Sequence, residues 1–118
     1  MKLFALILTV TILIGCSNND DNEVTIEPKC LQTIIDNVLL SEPTTPRASI
    51  AKYNYNSLEV YLITIPPGNN AADYESFLRD SNCNLICLIG GIDGNPSSEC
   101  SGFNNTSEFL ETIWSDPR

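Results

Sequence analysis

Residues 49–65, SIAKYNYNSLEVYLITI, decide the architecture. Tyr53, Tyr55, Val60, Tyr61, Ile63 and Ile65 are aromatic or β-branched, the types that fit a pleated, half-buried surface. Asn56-Ser57 divides the run. Asn tolerates positive φ, so the stretch predicts a hairpin with a two-residue turn, although the usual glycine is missing. That turn sets a register in which Tyr55 faces Leu58, Tyr53 faces Val60 and Ala51 faces Leu62, one apolar face. The other face carries Lys52, Asn54, Glu59, Tyr61 and Ile63. Tyr61 and Ile63 are expected to pack in a second layer under a C-terminal helix, with a contact surface as the alternative. Pro66-Pro67-Gly68 ends the second strand, because proline donates nothing to a sheet ladder.

Upstream, residues 28–41 predict a helix. Leu31, Ile34, Ile35, Val38 and Leu39 recur at the spacing of one helical stripe. Pro28 suits the first turn, where its missing N–H is not needed, and Pro43 stops the helix soon after Leu40. Downstream, residues 73–80 predict a short helix with Asp73 as N-cap and Tyr74, Phe77 and Leu78 on one face. Asp80-Ser81-Asn82 is a turn. Cys83–Ile89, CNLICLI, is a short apolar strand. Residues 106–115 predict a closing helix, capped by Asn105 or Thr106, with Phe109, Leu110, Ile113 and Trp114 on its buried side and Pro117 beyond its end. The expected fold class is therefore α+β: an N-terminal helix, a small antiparallel sheet of about three strands, a C-terminal helix and two disulfides.

The whole chain has 118 residues, with 15 Asp+Glu, 6 Lys+Arg, no His and a net charge of −9. Nucleic acid is excluded as a partner, because it is met with clustered Lys and Arg. Without histidine there is no Ser-His-Asp triad, no Cys-His nucleophile and no His metal ligand.

Residues 1–16, MKLFALILTVTILIGC, have a short basic start at Lys2 and an apolar run from Leu3 to Ile14, which is too short to span a bilayer comfortably. Leu13-Ile14-Gly15-Cys16 resembles the bacterial lipobox, which implies cleavage before Cys16 and lipid on its sulfur. Membrane attachment would then run through the acyl chains on Cys16. Residues 16–27 are polar and acidic, too poor in apolar groups to pack, and read as a tether. Asp20, Asp21 and Glu23 resemble the export signal of Bacteroidetes-type surface lipoproteins. The expected organisation is a signal peptide at 1–15, a lipid-anchored tether at 16–27 and one stapled domain at 28–118. The expected location is the outer membrane, facing the cell surface.

Outside the anchor four cysteines remain, Cys30, Cys83, Cys87 and Cys100. In an exported small domain they read as two disulfides. Cys83 and Cys87 on one strand would stand roughly 13 Å apart, while bridged Cα atoms sit about 4.4–6.8 Å apart. Two pairings survive. A return at Gly90–Gly94 would bring Cys100 back near Cys87, which favours Cys87–Cys100 with Cys30–Cys83 over Cys30–Cys87 with Cys83–Cys100.

The order of these features from Cys30 to Arg118 resembles an uncharacterised family of small Bacteroidetes-type lipoproteins, a domain of unknown function. The residues that carry the resemblance are Tyr53-x-Tyr55 with Val60-Tyr61, Cys83-Asn84-x-Ile86-Cys87, Gly90-Gly91-Ile92-x-Gly94, Cys100 and Ile113-Trp114-x-Asp116-x-Arg118. The chain departs from the family's pattern at Pro66–Asn70 and at Leu88-Ile89. The resemblance implies no activity and no site residues.

Candidate contact residues lie in two loops: Pro66 and Pro67 in one, and Gly90, Gly91, Asp93 and Asn95 in the other. Asp93, Asn95 and Glu99 are oxygen donors of the kind Ca²⁺ takes, but an EF-hand loop needs more of them and a Glu at its twelfth position. A Gly-rich turn between two cysteines accounts for the stretch, and no metal or cofactor is expected. Glu59, Asp73, Glu75 and Asp80 lie in no acid–base motif, and the thiols are bridged or lipidated, so no catalytic residue is assigned. The reading is a non-enzymatic binding or accessory module with a possible protein partner in the envelope. The alternatives are a small proteinase-inhibitor-like protein and a subunit of an envelope enzyme complex.

Overall fold

The central hairpin forms in the register its side chains require. β1 (Ser49–Tyr55) and β2 (Leu58–Thr64) pair antiparallel, with Tyr55 opposite Leu58, Tyr53 opposite Val60 and Ala51 opposite Leu62. Asn56 and Ser57 carry φ of 53° and 62°, the left-handed pair that a type I′ turn needs. The computed structural model describes residues 26–70, 72, 74–90 and 98–118. Within them the hairpin is the middle of a five-stranded antiparallel sheet. β3 (Glu75–Arg79) lies beside β2, β4 (Leu85–Gly90) lies beyond β3, and β5 (Glu108–Ser115) lies on the far side of β1.

The expected arrangement of helix, three strands and helix is overturned, because two segments read as helices are strands. Residues 73–80 hold β3 rather than a helix; the proposed cap at Asp73 lies outside the described residues. The spacing of Tyr74, Phe77 and Leu78 misleads because both faces of this strand are covered. Phe77 packs with one core cluster and Leu78 belongs to the other, so adjacent apolar residues need no helix to share them. Residues 106–115 fail for a different reason. β5 pairs with β1 through two irregularities, between Ile50 and Ala51 and between Lys52 and Tyr53. Leu110 and Ile113 are the extra residues that these bulges absorb. Each shifts the in-and-out alternation by one, so Phe109, Leu110, Ile113 and Trp114 imitate a helical stripe. Asn105 and Thr106 cap nothing there; they belong to the four-residue α2 (Phe103–Thr106).

α1 (Lys29–Leu39) is the one long helix among the described residues. It covers one face of the sheet, where Leu31 and Ile35 pack with Ile50, Tyr61 and Ile63. Tyr61 and Ile63 are therefore a second packing layer, but under the N-terminal helix and not under a C-terminal one. Burying a side chain of this size contributes about 1.5–3 kcal/mol. On the opposite face, Tyr55, Val60, Leu78 and Cys87 form a core with Cys100 and Phe103. Phe103 lies 5.1 Å from the Tyr53 ring and 5.3 Å from the Tyr55 ring, both as tilted or edge contacts. The chain passes across this face because it leaves one sheet edge at β4 and must reach the other at β5.

Two disulfides brace the layers. Cys30–Cys83 ties the start of α1 to the β3–β4 turn, and Cys87–Cys100 ties β4 to the segment crossing its face. This is the favoured pairing. Cys83 itself precedes β4 and sits in the turn with φ of 60°. The Asp80 carboxylate organises that turn by accepting the backbone N–H groups of Asn82 and Asn84 and the Asn84 amide. The Asn84 N–H leads in holding the Asp80 carboxyl below its ordinary pKa.

Candidate functional site

α1 stops near Leu40, and the chain runs through Ser41–Arg47 before entering β1. At the same end of the sheet, β2 runs out into Ile65-Pro66-Pro67-Gly68-Asn69. A parallel bridge between Thr45 and Asn69 joins these two loops. They stand off from the sheet and leave a groove of about 700 Å³ between α1, the two loops and the sheet face. Its size falls in the range of small-molecule sites.

The strand period determines what the groove presents. Ile63 stands opposite Phe77, and Tyr61 stands opposite Arg79. Phe77 and Arg79 are two residues apart on β3, so both point to the face under α1. Ile63 and Phe77 therefore form the apolar floor, Ile34 and Val38 of α1 form one wall, and Ile65 and Pro66 form the other. Asn37, Ser41, Thr44 and Asn69 give the rim its polar groups, and Glu42 and Arg79 supply one charge of each sign. Arg79 donates from Nη1 to the Cys83 carbonyl at 2.9 Å, and its guanidinium carbon lies 5.8 Å from the centre of the Phe77 ring.

A second polar cluster holds the back of this region in place. Asp116 is 2% exposed, and its carboxylate accepts Arg118 Nε at 2.9 Å and Nη2 at 2.8 Å. The guanidinium also donates to the carbonyls of Val38 and Ser41 at the end of α1. The Val38 carbonyl also accepts the Ser41 N–H at 3.0 Å, so Arg118 adds a second donor there and supplies one to Ser41 just past the helix, where basic side chains commonly meet the last carbonyls. The hydrogen bonds from Arg118 hold the Asp116 carboxyl at about 2, well below the usual carboxylate range. The same contact raises the Arg118 guanidinium.

The residues singled out from sequence fare unequally. Pro66 and Pro67 both line the groove; Pro66 is wholly buried and Pro67 exposed. Gly90 ends β4 opposite Glu75 with φ of 101°, and a Cβ there would stand 3.2 Å from the Tyr74 carbonyl oxygen. It takes no part in the groove. Gly91, Asp93, Asn95 and the lipidation candidate Cys16 lie outside the described residues. Among the described residues no group of three or more His, Cys, Asp or Glu side chains could hold a metal ion, and no helix is long and apolar enough to cross a membrane. Sequence reasoning missed Arg79, Phe77 and the C-terminal half of α1. The alternation Phe77-x-Arg79 is the available signal, and the helical spacing of Tyr74, Phe77 and Leu78 hides it.

Residues 36–116 match the family described as a domain of unknown function (DUF6970), and the chain belongs to that family. The match takes in the five strands and every groove residue except Ile34. No curated protein and no solved structure matches the chain.

Proposed function

We propose that this member of the DUF6970 family is a lipid-anchored binding module of the cell envelope that carries out no chemistry of its own. In this reading acyl chains on Cys16 hold it in the outer membrane, and the acidic tether presents the domain at the cell surface of a Bacteroidetes-type bacterium. The observation that carries the binding reading is the groove under α1. It combines an aliphatic and aromatic floor with a sparse polar rim, the usual make-up of a site that holds a ligand. The lack of histidine in the sequence and the scatter of the carboxylates favour holding over conversion. The net charge of −9 favours a protein or small-molecule partner over nucleic acid.

Two measurements on intact cells test it. Metabolic labelling with an alkynyl fatty acid should mark the protein and should fail on Cys16→Ala; labelling that survives the substitution would remove the anchor. Cross-linking followed by pull-down and mass spectrometry should recover a partner whose yield falls in Asn37→Trp, a rim change that fills the groove. A specific hydrolytic activity lost from cells without the protein, and restored by adding it back, would overturn the non-enzymatic reading.

A further inference from the structure

Arg79 stands in the groove with no carboxylate partner among the described residues. Lys52 lies 3.4 Å from a Glu59 carboxylate oxygen and 3.9 Å from one of Glu111, and Arg118 holds Asp116. No carboxylate among the described residues comes within ion-pair distance of Arg79. Its side chain is half-buried, lies over Phe77 and gives one nitrogen, Nη1, to the Cys83 carbonyl. Nη2 and Nε remain, a pair of donors with the fork geometry that meets both oxygens of a carboxylate. Partial burial beside an aromatic face lowers the local dielectric, so an anion is held there more firmly than on open surface.

The other groups narrow the ligand. The floor and walls are hydrocarbon, from Ile63, Phe77, Ile65 and Val38, so the body of the ligand is apolar. Among the described residues one cation, Arg79, lines the groove, and Glu42 shares the rim. A doubly charged phosphate ester would leave one charge unmatched in a groove that already carries a carboxylate, whereas a single carboxylate is matched. We propose that the groove binds a small apolar monocarboxylate, with its carboxylate on Arg79 and its hydrocarbon body along Phe77 and Ile63. This deepens the binding reading above and rests on it.

The test uses the full chain held on phosphatidylcholine nanodiscs and titrated with octanoate, read through the methyl resonances of Ile63 on the groove floor, which every variant below keeps. A saturable shift is expected. Octanamide, the same body without the charge, should bind at least about tenfold more weakly, and so should octanoate to Arg79→Gln, as expected for loss of a charge-assisted hydrogen bond. Arg79→Lys should recover part of the affinity, which separates lost charge from a damaged fold. Asn37→Trp should block octanoate. Equal binding of octanamide and octanoate, octanoate binding untouched by Arg79→Gln, or no saturable shift would each overturn the proposal. If octanoate fails while Asn37→Trp still abolishes the cellular cross-link, the acid is wrong and the binding reading stands.

Discussion

Asp116 and Arg118 show how much two side chains can do at the end of a chain. Sequence marks them only as part of an Ile113-Trp114-x-Asp116-x-Arg118 pattern, while in the fold they close the end of α1. The depressed carboxyl gives the linkage a definite sign. A carboxylate lowered from 3.8 to about 2 stabilises the fold above its unfolded pKa and loses that contribution as pH falls through the folded value. Asp116→Asn should therefore melt below the parent at neutral pH, and the two curves should converge between about pH 4 and about pH 2. Thermal melts across that window check it, and a constant gap throughout would show that the charge is not the cause. Ser57 offers an opposite case. It adopts φ of 62° in the hairpin turn without glycine's freedom. Ser57→Gly should raise stability by up to about 1 kcal/mol, measured by urea unfolding, because a left-handed conformation costs a side-chain-bearing residue roughly that much.

Among the elements, β5 is the one whose sequence misleads most, and its irregularity has a use. It is an edge strand, and edges invite pairing with other chains. Two bulges interrupt its register with β1, and Glu108 and Glu111 place charge along it. Both features blunt an edge that also exposes Phe109 and Leu110. α1 is held in three ways, by its apolar stripe, by Arg118 at its end and by Cys30–Cys83 at its start. The bridge closes a sequence separation of 53 residues, against 13 for Cys87–Cys100. Loop-closure entropy makes the longer one worth about 4 kcal/mol and the shorter about 3 kcal/mol. Paired alanine substitution of Cys30 and Cys83 should lower unfolding free energy more than substitution of Cys87 and Cys100. Urea titration of both variants decides it, and the reverse order would mean that strain or residual unfolded structure outweighs loop length.

For the molecule as a whole, the layers and the charge act in opposite directions. Both faces of the sheet are covered, one by α1 and the other by the segment carrying Cys100 and Phe103. The acidic excess, 15 carboxylates against 6 basic residues, works against compaction by self-repulsion. Raising ionic strength from about 0.01 M to about 0.15 M shortens the screening length from about 30 Å to about 8 Å. The melting temperature should rise over that range, most steeply at its low end. A fall would mean that attractive pairs such as Lys52 with Glu59 and Glu111 outweigh the net repulsion.

What could be read in advance was whatever depends on neighbours in the chain. The hairpin register follows from a two-residue turn and a period of two, and the structure repeats it residue for residue. The first helix follows from one apolar stripe between prolines. The disulfide pairing was narrowed by the reach of a strand and a return loop. What could not be read depends on partners distant in sequence. Residues 75–79 are a strand because β2 and β4 flank them and both their faces are covered, and residues 108–115 are one because β1 offers an open edge. The groove has the same origin. Its floor, its walls and Arg79 come from β2, β3, α1 and two loops, and only the packing of the helix across the sheet brings Arg79 and Phe77 into one groove with Val38. Local spacing records the preferences of a segment, while contacts across the chain choose between a strand and a helix when both spacings fit.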